Sequence, residues 1–196
     1  VTSTVGWVER SDTHQLRQGR TMTSYRRDRT AGATWFFTLA LANRRSRLLV
    51  ENVDLLRAAF RYTQQRHPWQ IDAIVILPDH LHTICTLPAD DANYALRWRL
   101  IKTEFSRALP RTEVVSNSRQ TKGERGIWQR RYWEHRIRDD IDLARHVDYI
   151  HFNLCKHSHA LRVVDWRWSS FHRYVREGLL AKDWGGGSIG EIDAGE

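Results

Sequence analysis

The stretch WQIDAIVILPDHLHTICTL, residues 69–87, decides how the fold is read. Its first half is apolar and β-branched, and its second half has the length and composition of another strand. Between them stand Pro78 and Asp79, two turn formers. Two strands joined by so short a turn predict an antiparallel hairpin. Side chains two apart in a strand share a face. His80 and His82 therefore project together, while Leu81 enters the core with Thr83 and Cys85 on its side.

Outward from the hairpin the period changes regularly. TWFFTLALA, 34–42, is aromatic and apolar and predicts a buried strand. NVDLLRAAFRYTQQRH, 52–67, sets Leu55, Leu56, Ala59, Phe60 and Thr63 at helical spacing, with Asn52 a candidate cap. After the turn residues PADD a helix is expected over 93–109, then a hydrophilic link over 110–126. IWQRRYW, 127–133, predicts a short strand, IDLARHVDYIHFN, 141–153, a helix, and WRWSSFHRYVREG, 166–178, a last packed helix. The order is β-α-β-β-α-β followed by extra helices. That is an α+β chain of ferredoxin-like pattern: an antiparallel sheet with helices on one face and additional C-terminal helices. The open sheet face is the expected place for a site. Residues 1–32 are expected to form a basic arm, 33–184 a single domain, and 185–196 a flexible acidic tail.

The 196 residues suffice for one domain with a core, and a hydrophobic content of 41% argues against wholesale disorder. Lys and Arg number 31 against 23 Asp and Glu, a formal charge of +8 with a pI near 10.0. Such a surplus favours a polyanionic partner, without choosing among nucleic acid, membrane surface and ribosome. Cys85 and Cys155 are far apart, which fits a reducing cytoplasm rather than a disulfide scaffold. No apolar run approaches the roughly 18 residues of a membrane span. The opening VTSTVGWVERSD lacks the apolar segment of a signal peptide.

Imidazoles suit transition ions and can assist magnesium, but two ligands do not complete a site. A matched pair of surface histidines explains the spacing equally well. Tyr149 and Asn153 lie four apart in HVDYIHFN and so share a helix face. Asn153 offers an amide oxygen to an ion. Tyr149 offers a phenol, whose ordinary pKa of about 10 leaves it poorly ionised near neutrality. A divalent cation polarising a phosphate would make it an effective nucleophile. The plain alternative is a half-buried core tyrosine. Tyr132 is a rival nucleophile, and Glu134, His135 and Asp148 are rival ligands or proton carriers. His151 falls on another part of the helix, and His157 and His159 are expected to be exposed in a turn.

Three runs, LPDHLHTICTLPADD, IWQRRYWEHRIRDDIDLARHVDYIHFN and DWRWSSFHRYVREG, resemble in this order the REP-associated tyrosine transposases, relatives of the IS200-like single-tyrosine HUH enzymes. The resemblance runs from about residue 32 to 185. It implies that His80 and His82 bind the metal, that Tyr149 is the nucleophile, and that Asn153 completes the metal shell. It also implies Mg or Mn as cofactor and a substrate of single-stranded DNA carrying palindromic hairpins. Such DNA would be cut and rejoined through a 5′-phosphotyrosine link. A monomer in a bacterial cytoplasm, associated with the nucleoid, is expected. Two positions depart from the family: Asp79 stands where Asn is usual, and Leu154-Cys155 where Pro-Val is usual, a loss of proline that either lengthens the helix or shifts the turn at its end.

Twelve Lys or Arg against four Glu lie between residues 97 and 138, interleaved with aromatics, as suits phosphate contact and base stacking. Arg97, Lys102, Arg130, Arg131, Arg136 and Arg138 are the expected DNA contacts, with Arg26, Arg27 and Arg29 contributing from the arm. Two other classes remain open: a non-catalytic hairpin or single-stranded nucleic-acid-binding protein, and a structural or RNA-associated basic protein.

Overall fold

A computed structural model describes residues 28–185. Most of the expected basic arm, with Arg26 and Arg27, and residues 186–196 of the expected tail lie outside the described residues. The chain runs β1 (Thr34–Ala40), α1 (Leu48–Glu51), α2 (Val53–Arg66), β2 (Gln70–Ile76), β3 (His80–Thr86), α3 (Tyr94–Ala108), α4 (Asn117–Gln120), β4 (Trp133–Arg136), α5 (Asp140–Lys156), a 3-10 turn (Val163–Asp165) and α6 (Phe171–Arg176). The four strands form one antiparallel sheet in the order β2-β3-β1-β4, the α+β arrangement the sequence predicts. The β2–β3 hairpin closes at Pro78-Asp79, where Leu77 N–H donates to His80 O at 2.9 Å.

Alternation along β1 and β3 builds two cores. Trp35, Phe37, Leu39, Leu81 and Cys85 face α2 and α3, where Leu56, Phe60, Trp98 and Phe105 meet them. Phe36 and Ile84 face the other way, against Ile150 and Leu154 of α5 and Phe171 of α6. Burying one such large apolar side chain contributes about 1.5–3 kcal/mol. Both faces of the sheet are thus covered. The open face expected from the sequence is instead roofed by α5, which packs on β2 and β3. The apolar stripe of α5 has to be buried somewhere, and the chain's second set of inward strand residues is where it goes.

Three local differences also appear. One-turn helices α1 and α4 precede α2 and interrupt the hydrophilic link. The fourth strand begins at Trp133 rather than Ile127. Residues 127–129 touch the end of β1 only through single backbone bonds, because Trp128 turns inward to pack on Phe105, 5.6 Å between ring centroids. Finally, the segment after the 3-10 turn lines the free edge of β2: Ile76 N–H donates to Trp168 O at 2.9 Å and Ser170 N–H to Ile74 O at 2.8 Å. That covers an edge which would otherwise present unpaired backbone groups.

Candidate active site

His80 and His82 point from β3 into the layer between the sheet and α5, 2% and 0% exposed. Their ring centroids are 4.9 Å apart with planes nearly perpendicular, at 86°. His80 Nδ1 lies 2.9 Å from Asp79 Oδ1, and Arg44 Nε holds the other carboxylate oxygen at 2.7 Å. A carboxylate paired with arginine accepts only, so Nδ1 carries the proton and Nε2 presents its lone pair. That Nε2 is buried and makes no hydrogen bond within the protein. Burial, and then the neighbouring His82, lower the His80 pKa to about 4, so the ring is neutral and ligand-competent near pH 7. His82 Nδ1 meets Thr38 Oγ1 at 2.9 Å across the β1–β3 pairing, where Thr38 stands opposite His82.

The facing wall is α5. Its first turn is capped by Asp139, whose side chain accepts from Asp142 N–H at 2.8 Å, with Asp140 and Asp142 at the positive end of the dipole and Lys156 at the negative end. Tyr149 is 3% exposed and Asn153 1%. The Tyr149 ring stands edge-on to His82, with centroids 5.3 Å apart at 77°. Phe36 backs both, 5.6 Å from His82 and 5.9 Å from Tyr149. Lys156 Nζ sits 5.2 Å from the Tyr149 ring centroid. Tyr149, His80 and His82 thus converge from one chain, and Asn153 follows one turn on. The helix indeed continues past Asn153, through Leu154 and Cys155, to end on His157.

The rival residues resolve differently. Tyr132 packs against Phe37 and Trp98 on the opposite face. Glu134 Oε1 lies 3.1 Å from the Tyr94 hydroxyl. His151 is buried with Nε2 3.0 Å from Ser170 Oγ. His157 and His159 are half-buried rather than exposed, and His157 lies 5.7 Å from His80 between centroids. His135, Asp142 and His146 form a His/Asp group with ligand atoms within 4.8 Å of one another, capable of holding a cation. Sequence reasoning did not assemble this group, although Asp142 and His146 are an i, i+4 pair. It also missed Thr38, Phe36, Arg44 and Lys156, whose positions become visible only with strand register and helix docking.

No protein-family model matches the chain. A putative REP-associated tyrosine transposase of Haemophilus influenzae is 46% identical over 166 residues, covering 84% of this chain and 94% of that one. The REP-associated tyrosine transposase of Escherichia coli is 43% identical over 175 residues, covering 89% and 98%. The chain belongs to the REP-associated tyrosine transposases. A solved structure, described as a REP-associated tyrosine transposase bound to a REP hairpin, superposes with a TM-score of 0.76 at 42% identity, covering 89% of this transposase and 98% of that chain.

The basic residues of the transposase divide by environment. Arg97 is 1% exposed, and its guanidinium donates to the carbonyls of His67, Asn93 and Pro68 and pairs with Asp91 at 2.8 Å. It clamps α3 to the loop before β2, so the expectation that it contacts DNA is corrected: a buried side chain with its donors committed cannot reach a phosphate. Arg29, Arg131 and Arg138 are exposed. Arg136 pairs with Asp28 at 3.3 Å, and Arg130 with Glu124 at 2.8 Å. Lys102 Nζ donates to Gln129 O at 3.1 Å and sits over Trp128 and Tyr132, 5.6 and 5.3 Å from their rings. Among the described residues no helix is long and apolar enough to cross a membrane.

Proposed function

We propose that this transposase cuts and rejoins single-stranded DNA beside palindromic repeat hairpins, with Tyr149 as nucleophile and His80, His82 and Asn153 holding the divalent ion. The observation that carries the proposal is the Tyr149 ring 5.3 Å from His82, which itself lies 4.9 Å from His80 between ring centroids. The relative solved with a REP hairpin supports the substrate class.

The donor set fits Mg or Mn. His80 has a buried lone pair without a hydrogen bond, oriented by Asp79 as outer-shell partners orient metal-bound imidazoles. Asn153 adds an amide oxygen, the donor that hard cations prefer. When bound, the ion supplies Lewis-acid polarisation of the scissile phosphate. The chain does the rest. Tyr149 gives up its phenolic proton to solvent, and its oxygen bonds to phosphorus. The bond from phosphorus to the 3′ oxygen breaks, and that oxygen takes up a proton. The products are a 5′-phosphotyrosine ester and a 3′-hydroxyl. Attack by a 3′-hydroxyl reverses these bond changes and joins strands. Lys156 places positive charge beside the ring that must lose its proton. Phe36 holds the two rings in register.

Lys102, Arg130, Arg131, Arg136, Arg138 and Arg29 are proposed to hold the backbone, with Arg26 and Arg27 contributing from the arm. The nucleophile and both imidazoles belong to one chain, which supports action as a monomer on nucleoid DNA. The test is incubation with hairpin-bearing single-stranded DNA and Mn, followed by denaturing electrophoresis. A covalent adduct is expected, absent with chelator and absent in Tyr149→Phe. An adduct that persists in Tyr149→Phe overturns the assignment.

A further inference from the structure

Along the edge of β2, on the sheet face opposite Tyr149, lies a groove that the reaction described above does not use. We propose that it is a second nucleic-acid contact, taking an unpaired nucleotide of the DNA strand that flanks the hairpin. The base would lie against Trp168 and an apolar floor, and its phosphates on Arg61 and Arg167. This inference rests on the reading of the chain as a binder of single-stranded DNA.

The alternation of β2 sets the place. Ala73 and Val75 turn toward the layer that holds Tyr149, whereas Ile74 and Ile76 turn toward α2. A shift of register between Ile71 and Ala73 brings Ile71 to the α2 side as well. With Phe60 of α2, Ile71 and Ile74 make the floor. The wall is the segment that runs along the β2 edge. Trp168 O accepts from Ile76 N–H at 2.9 Å, Ser169 bridges to Val75, and Ser170 N–H donates to Ile74 O at 2.8 Å, so the backbone that carries Trp168 is fixed on both sides. The space measures about 420 Å³, within the range of ligand sites.

The rim is cationic. Among the described residues that line the groove four are arginines, Arg57, Arg61, Arg167 and Arg173, and none is acidic. Arg173 donates to the carbonyls of Ile71 and Asp72, which pins its charge at one end. Arg57 lies 3.4 Å from Asp54 and also 4.9 Å from the Trp168 ring centroid. The Arg167 guanidinium lies 4.0 Å from the same centroid. Arg61 and Arg167 are exposed, and neither pairs with a carboxylate among the described residues.

This combination matches a single strand. An unpaired base offers a π-face to an aromatic ring whatever its identity, and guanidinium groups both stack on aromatics and fork onto phosphate oxygens. A duplex stem keeps its bases stacked on one another, so the floor and the Trp168 ring discriminate in favour of the flank. An acidic protein partner would use the arginines and leave the base-sized apolar floor unfilled.

The test is fluorescence anisotropy of the full chain with three DNAs: a blunt hairpin, the same hairpin with an unpaired oligothymidine tail on either end in turn, and the same with an abasic tail of equal length. The thymidine tail is expected to raise wild-type affinity about tenfold, the low end of what stacking one base contributes. The double variant Arg61→Ala, Arg167→Ala should lose that gain and lower the log–log salt slope on tailed DNA by about 1.4, from two phosphates at about 0.7 each, with the blunt hairpin unaffected. Trp168→Leu should abolish the preference for thymidine over abasic tails. The arginines are exposed, and urea unfolding checks that the double variant keeps its fold. No gain from the tail in wild type, or an undiminished gain in the double variant, would overturn the groove. So would a loss shared equally by blunt and tailed hairpins. Equal affinity of wild type for thymidine and abasic tails would overturn the base contact and point to an acidic partner. Absence of the Tyr149 adduct, with the tail gain present in wild type and lost in the double variant, would overturn the nucleophile and leave the groove standing.

Discussion

The Tyr149 phenol and the His82 imidazole stand edge-on, their centroids 5.3 Å apart, although the two residues lie 67 positions apart in the chain. Phe36 touches both and also lies 4.8 Å from His146. One aromatic side chain on the central strand therefore sets the distance between the proposed nucleophile and the proposed ion site.

Asp79 is expected to act through His80. Its carboxylate orients the ring and is itself held by Arg44. Asp79→Ala should weaken Mn binding about 10–100-fold, as loss of outer-shell partners does. Asp79→Asn retains an acceptor and should keep most of the affinity. Calorimetric titration of both variants decides, and equal losses would show that charge rather than orientation is what Asp79 supplies.

Arg97 is expected to matter for stability and not for DNA. Arg97→Met leaves Asp91 without its partner and the His67, Asn93 and Pro68 carbonyls without donors. Leaving buried acceptors without their donor costs about 1–3 kcal/mol. Urea unfolding measures the loss. A folded variant of unchanged stability but reduced hairpin affinity would contradict the clamp.

Lys102 should behave oppositely. It lies at the surface over Trp128 and Tyr132. Lys102→Ala is expected to weaken hairpin binding evenly across sequences and to reduce the log–log salt slope by about 1. Fluorescence anisotropy at several salt concentrations reads both quantities, and an unchanged slope removes Lys102 from the phosphate contacts.

His151 ties stability to pH. Burial, and secondarily the charge of Arg173, lower its pKa from 6.5 to about 4. Below about pH 6.5 the unfolded chain takes up a proton that the folded chain refuses. The stability from the neutral ring is therefore full above that pH and is lost as pH falls toward 4, at up to about 1.4 kcal/mol per unit. His151→Gln should show a smaller drop between pH 7 and pH 5 in urea titrations. An identical drop would place the acid sensitivity elsewhere, among groups such as His80 and His146, whose burial also lowers their pKa.

The residues themselves determined what depends on neighbours along the chain. β-branched runs around Pro78-Asp79 specified the hairpin, alternation put His80 and His82 on one face, and a four-residue spacing put Tyr149 and Asn153 on another. These are consequences of strand and helix periods, which any short window contains. Tertiary structure decided what depends on register and docking between distant segments. Thr38 reaches His82 across 44 residues because β1 pairs with β3 in one register and no other. Arg97 is read as a basic surface residue until α3 docks beside the His67-Pro68 carbonyls and buries it. The second sheet face is read as open until α5 needs somewhere to place its apolar stripe, and His157 as a turn residue until that same helix runs on to set it beside His80. Side-chain chemistry is written locally, but burial and convergence are properties of packing, and packing is settled only when all the elements compete for the same interior.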